Sequence, residues 1–253
     1  MIADGGWSSL RSRYFAPAGS PEYAGHQVWR FRVEAKHVPG FQAYGAFESG
    51  HYFSIMLDIS FNDGRQWIMG GTAIAAEESA VVRPAPGGSR QAPPEGNSST
   101  PPPAWFLPFF ETKFAHAAGG ELVRVMRAAA AHGKISPALP QYEYAAPRVV
   151  AGRLVLLGDA AHMASPRTGA GAHTAVLDAA ALGEAFAGAA RSGGGGGGGG
   201  GGAPGALVDR ALAAYAPPAV QRAAALVARS RQLSAAVAAP GWRRQAAPRD
   251  DEL

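Results

Sequence analysis

Asp159 stands where a carboxylate can do chemistry. Four apolar residues, Leu154 to Leu157, precede it and are followed by Gly158. A short apolar run bounded by glycine reads as a strand buried on both faces. Glycine lets backbone approach a ligand closely because it has no Cβ. Asp159 therefore falls at the carboxyl end of a strand, where open α/β sheets place their ligands. A loop containing Pro166 leads on to Gly169, Ala170, Gly171 and Ala172, and Ala172 to Ala190 is almost pure helix former. The unit is strand, acidic turn, glycine loop and helix N-terminus. The unpaired N–H groups and positive dipole end of such a helix suit a partial negative charge.

The elements that must position this unit lie on both sides of it. Upstream, Val28–Val33, Phe41–Phe47, His51–Leu57 and Trp67–Gly71 are short and rich in aromatic and branched residues, with the turn signal Asn62-Asp63-Gly64 between two of them. They predict an antiparallel, β-rich region. Trp29, Phe31 and Val33 alternate with Arg30 and Arg32, which puts the arginines on a solvated face. Glu121 to Ala131 predicts a helix with Leu122, Val125 and Met126 on one side. Ser136 to Pro147 reads as irregular. Leu207 to Ala239 reads as helical, interrupted near Pro217-Pro218. The chain opens with two apolar residues and an Asp4-Gly5 turn, like the end of a strand.

Composition bounds the function. The 253 residues carry 23 basic and 19 acidic side chains, a net charge of +4, with the basic residues scattered. Cysteine is absent, which removes disulfides and thiolate chemistry. No run of about 18 apolar residues offers a membrane span, and Met1-Ile2-Ala3-Asp4 is no signal peptide; the expected setting is intracellular and soluble. No metalloprotease, nucleophile-elbow or phosphate-loop motif is present, and the seven histidines lack metal-ligand spacing. Isolated ones such as His37 and His116 read as surface residues. Arg83 to Ala104 is rich in Pro, Gly and Ser, and Gly193 to Gly202 is ten glycines. Such segments lack the side chains to build a core.

Gly158, Asp159, Ala160, Ala161, His162, Pro166, Gly169, Gly171 and Asp178 together resemble the second flavin-binding motif of the FAD-dependent aromatic hydroxylases, of the para-hydroxybenzoate hydroxylase and salicylate hydroxylase type. Asp4, Gly5, Ser8 and Arg11 resemble the internal Asp-Gly motif of that family, and Ala211–Tyr215 with Arg222, Ser230 and Arg231 resembles its last helix. The resemblance implies a mixed α/β fold: a partial Rossmann-like FAD-binding domain (1–14 and 145–239, with a glycine linker at 193–206) and an inserted, mainly antiparallel substrate domain (15–144, with a disordered loop at 83–104), then a disordered tail at 240–253. The family opens with a Gly-x-Gly-x-x-Gly unit that has no counterpart here, so a fragment is expected.

By the same resemblance, Asp159 accepts hydrogen bonds from the ribityl chain of FAD and Gly158 lies against the cofactor. Pro166 sits beside the isoalloxazine ring, and the amides of Gly169, Ala170, Gly171 and Ala172 meet its N1/C2 carbonyl edge. Asp4, Gly5 and Arg11 lie near the diphosphate or the incoming nicotinamide nucleotide. The implied reaction is reduction of FAD by NAD(P)H, capture of O2 as a flavin hydroperoxide, and hydroxylation or epoxidation of an aromatic or electron-rich small molecule. His173 occupies a position where the family often has Asn. Two alternatives stand beside this reading. One is an inactive remnant of the fold. The other is a non-enzymatic interaction protein using Arg210, Arg222, Arg229, Arg231, Arg243 and Arg244 on its last helical region. Nucleic acid is not an expected partner.

Overall fold

The computed structural model describes residues 1–15, 19–42, 45–49, 52–60, 64–75, 102, 104–116, 120–192 and 204–237. The proline-rich stretch (apart from 102 and 104), the glycine tract, the tail, Asn62, Asp63, Arg243 and Arg244 lie outside them. The chain divides into two compact units. One comprises Met1–Ala24 and Tyr142–Ser234, and the other is built on Gly25–Gln141. The fold is mixed helix and sheet with an antiparallel sheet, as expected.

In the second unit, strands β1 (Glu22–Glu34), β2 (Gly45–Ser49), β3 (Tyr52–Ser60) and β4 (Gln66–Ala75) pair antiparallel in the order β2-β3-β4-β1. The predicted alternation holds in β1 for Trp29, Phe31 and Val33, which are buried, and Arg30, which is exposed, while Arg32 is half-buried. Trp29, Phe31 and Val33 of β1 and Ile68 and Ile74 of β4 pack with helices α2 (Phe106–Phe114) and α3 (Glu121–Ala131) in one core. Phe106, Phe110 and Phe114 recur every four residues and are all buried, so α2 puts one aromatic stripe inward. Pro108 is tolerated because a first-turn N–H has no helical acceptor. In α3, Leu122, Val125 and Met126 are buried as predicted. His37 and His116 are exposed.

In the first unit, β5 (Leu139–Ala145) ends by pairing with β8 (His162–Met163), and β6 (Val150–Ala151) pairs with β7 (Leu154–Val155). Ile2 forms a parallel bridge with Leu156, donating its N–H to the Val155 carbonyl at 2.8 Å and accepting from the Leu157 N–H at 3.0 Å. This bridge stands ahead of the short helix α1 (Ser9–Tyr14). Helices α4 (Gly171–Ser192) and α5 (Pro204–Ala235) complete the unit.

Two expectations are corrected. Residues 139–145 form a strand rather than irregular chain. And α5 runs unbroken through Pro217 and Pro218. Proline frees the carbonyls four residues earlier; these belong to Ala213 and Ala214, which are exposed, as are both prolines. Carbonyls freed on an exposed face stay open to solvent, so the helix tolerates the loss.

Phe110 lies between Phe106 and Phe114, with ring centroids at 6.4 and 4.7 Å. Phe110→Ala is expected to cost about 3–5 kcal/mol in urea unfolding followed by tryptophan fluorescence. The exposed Thr112→Ala should stay within about 0.5 kcal/mol of wild type.

Candidate functional site

The strand Leu154–Val155 runs through buried Leu156 and Leu157 into a single 3-10 turn, Gly158–Ala160. Gly158 has φ +58°, and a Cβ there would lie 3.2 Å from the Ala175 Cβ. Both the left-handed backbone and the close approach of α4 favour glycine. The Ala161 N–H closes the turn on the Gly158 carbonyl at 2.8 Å. Asp159, in the middle of the turn, is exposed.

Beneath the turn lies a carboxylate, Asp178 of α4, whose side chain is 2% exposed. Its Oδ2 accepts from the Gly158 N–H at 3.3 Å and from His162 Nε2–H at 2.7 Å, and the His162 side chain is fully buried. Its Oδ1 accepts Nε–H and Nη2–H of Arg222 from α5, at 3.2 and 3.1 Å. Burial alone would push this carboxyl up. The His162 hydrogen bond and charge, then Arg222 and the Gly158 N–H, outweigh it and hold Asp178 below the usual carboxylate range.

A second clamp acts from the amino-terminal side. Ser8 caps α1, its Oγ accepting from the Arg11 N–H at 2.9 Å. The Arg11 guanidinium is buried and donates to the carbonyls of Ala160 at 3.0 Å and Gly6 at 2.8 Å. It lies 4.1 Å from the centre of the Tyr144 ring. Burial lowers the Arg11 pKa, opposed by Tyr144 and Asp4, and raises that of Tyr144. Arg11 therefore ties the Asp4-Gly5-Gly6 segment to the Gly158–Ala160 turn. Asp4 is exposed, and Gly5 turns with φ +91°.

The loop before α4 is held as tightly. The Ser165 N–H donates to Ser230 Oγ at 2.7 Å, and Ser230 and Ser234 donate to Glu143 Oε1 at 2.6 and 2.7 Å. The Arg167 guanidinium donates to the Leu233 carbonyl. Thr168 Oγ1 accepts from the Ala170 N–H at 3.2 Å. The result is a fixed arc with Pro166 and Gly169 exposed and φ +60° at Gly169. Helix α4 starts at Gly171, with Ala170 and Gly171 half-buried and Ala172 and His173 exposed. A Cβ at Gly169 or Gly171 would meet nothing within 4 Å, so open space adjoins the helix start. There the first-turn N–H groups have no acceptor within the helix.

Ten residues were expected at the site, and all lie in this one unit. The structure brings Gly158, Asp159 and α4 together around Asp178, and it places Arg11 in the interior as a backbone clamp. Sequence reading assigned no role to the Asp178–His162–Arg222 cluster or to Glu143 with its serines. One signal was available: Thr174, Asp178 and Leu182 are spaced by four and all buried, and a carboxylate in a buried stripe requires partners. Three of the four arginines of α5 have partners within the chain, Arg222 with Asp178, Arg210 with the Ala189 carbonyl and Arg231 with Glu22, while Arg210, Arg229 and Arg231 are exposed.

A carboxyl whose folded pKa is depressed contributes stability that is complete above its unfolded value, near 4, and lost as pH falls through the folded value. Wild-type unfolding free energy should therefore fall more steeply below pH ~4 than that of Asp178→Asn. At neutral pH the variant should be weaker by about 1.5–3 kcal/mol. Urea titrations between pH 6 and 2 test this, and parallel profiles would remove Asp178 from the account.

A family model described as the FAD binding domain matches residues 111–197. Over 43 residues, 17% of this chain and 6% of the other, the sequence is 58% identical to a dual trans-enoyl reductase/FAD-dependent monooxygenase of Aspergillus terreus. Among solved structures, HpxO of Klebsiella pneumoniae, complexed with FAD and uric acid, superposes with TM-score 0.64 at 21% identity, covering 95% of this chain and 51% of that one. The 2,6-dihydroxypyridine-3-hydroxylase of Arthrobacter nicotinovorans gives TM-score 0.64 at 21% identity, with 94% and 58% covered. The chain thus spans about half the length of these solved relatives. Among the described residues no helix is long and apolar enough to cross a membrane. Residues 111–197 thus match the FAD binding domain model, and the chain shares the fold of these two solved proteins.

Proposed function

We propose that this chain supplies the flavin-holding face of an FAD-dependent monooxygenase that hydroxylates or epoxidises an aromatic or electron-rich small molecule. The observation that carries the reading is the placement of an exposed Asp159, at the end of a buried strand, on a turn gripped by the helix whose open N-terminus follows. These residues fit FAD. A lone exposed carboxylate accepts hydrogen bonds from a polyhydroxyl chain, and an unobstructed helix start accepts a ring edge that gains negative charge on reduction.

When bound, FAD takes up reducing equivalents from NADH or NADPH and supplies the redox chemistry for moving one oxygen atom of O2 to the substrate. The protein's part is position and charge. Asp159 holds the ribityl hydroxyls, and Gly158 allows backbone contact. Pro166 stands at the ring, and the N–H groups of Gly171 and Ala172 at the helix start meet its carbonyl edge; those of Gly169 and Ala170, expected there too, are instead donated to the Pro166 carbonyl at 3.0 Å and to Thr168 Oγ1 at 3.2 Å. The Asp4-Gly5 segment, held by Arg11, is assigned to the diphosphate side or the nicotinamide nucleotide. The unit built on Gly25–Gln141 is assigned to the substrate. A small molecule is the expected partner, as uric acid is for HpxO, with no nucleic acid in the reaction.

Titrating FAD into the 253-residue chain and following flavin fluorescence tests the assignment. Asp159→Ala should weaken binding roughly 10- to 100-fold, the loss of one or two charge-assisted hydrogen bonds. Equal affinity in the two proteins would remove Asp159 from the site. Absence of binding in both would mean that this chain does not hold FAD unaided.

A further inference from the structure

We propose that His162 and Arg222 are positioning residues of the flavin site: they fix the Asp178 carboxylate so that it captures the Gly158 N–H and sets the turn that presents Asp159. The inference rests on the reading above for the purpose of the turn, and on geometry for its mechanism.

A carboxylate on a helix rotates about its last side-chain bond, and here both edges are pinned. Oδ1 takes two donors from one guanidinium, at 3.2 and 3.1 Å. Oδ2 takes one donor from each end of the turn: the Gly158 N–H at its entry and His162 Nε2–H just past its exit. One oxygen atom thus closes the loop from residue 158 to residue 162, with Asp159 at its crest. Because Asp178 lies two turns into α4, the same atom fixes how far Asp159 stands from the start of that helix. Arg222 balances the charge that would otherwise be buried alone. Without His162, Oδ2 keeps only the backbone donor at 3.3 Å, the longest of the four bonds, and the turn is free to shift.

Two readouts separate positioning from general support. The first is hydrogen exchange of the Gly158 amide, measured by NMR on the full chain without cofactor. His162→Leu should speed it at least 10-fold, and His162→Gln, whose amide can reach where Nε2 sits, should restore most of the protection. The second is FAD affinity in a double-mutant cycle. If His162 acts through the turn, Asp159→Ala should cost under 3-fold in the His162→Leu background, against 10-fold or more in wild type. Unchanged Gly158 exchange in His162→Leu, or full cost of Asp159→Ala in both backgrounds, would overturn the proposal. Should His162→Leu fail to fold, Arg222→Lys takes its place; it keeps the charge and loses the two-pronged grip, and the same thresholds apply. If wild type binds no FAD, this chain does not hold the cofactor unaided, and the exchange experiment still decides the positioning role.

Discussion

A buried carboxylate in a helix of alanines is a constraint that the surrounding chain must meet. Asp178 cannot be solvated, so every lone pair it carries needs a protein donor. The donors come from three places: the turn after β7, the strand β8 and helix α5. Meeting that requirement draws the three elements to one point. The exposed features of the site, Asp159 and the α4 N-terminus, then take their places from the buried one. Burial and function are divided between two acidic residues: Asp178 is enclosed and saturated with donors, while Asp159 is left open to a ligand.

The same division recurs at the neighbouring loop. Glu143 is fully buried and receives two serine hydroxyls, and one of those serines also receives the Ser165 N–H. Ser230 and Ser234 are one helical turn apart on α5, so a single face of that helix grips both the Asp178 cluster and the Ser165 loop. Tyr215 reaches from the same helix to the Leu156 carbonyl at 3.4 Å. Its burial raises the phenol pKa and keeps it a donor at neutral pH. The polar side chains by which α5 reaches the site end on backbone or on buried carboxylates, and its Leu212, Tyr215 and Ala219 share a core with Leu156, Leu157 and Ala160, which is the work of a scaffold.

What could be read from sequence was whatever has a short period or a local shape. Trp29, Phe31 and Val33 declare a strand by alternation, and Leu122, Val125 and Met126 declare a helix face. The Gly158-Asp159 turn shows itself because a buried strand, a glycine and a carboxylate stand in immediate succession. Residues 139–145 were hidden because Pro140, Gln141 and Glu143 lower their apparent strand character. Glu143 is acceptable inside only because Ser230 and Ser234, 87 and 91 residues away, supply hydroxyls. Pro217 and Pro218 read as a break because the exposure of the carbonyls they free cannot be seen locally. Arg11 was expected near the diphosphate or the nicotinamide nucleotide, and its place as an interior clamp was hidden for the same reason: its acceptors at Gly6 and Ala160 are defined by the fold alone.

The ten glycines between α4 and α5 sharpen this point. A glycine run has no side chains to direct packing and adds little closure cost as it lengthens. The pairing of the two helices therefore cannot be specified by their connection. It comes from contacts within the fold: α4 and α5 contribute Leu182 and Leu212 to one apolar core, and Arg222 on Asp178 and Arg210 on the Ala189 carbonyl near the end of α4 add direction. The arginines are 12 apart on α5, roughly 18 Å along its axis, so they fix register as well as proximity. A site assembled this way tolerates change in the length of its loops and is sensitive to the loss of a single buried donor.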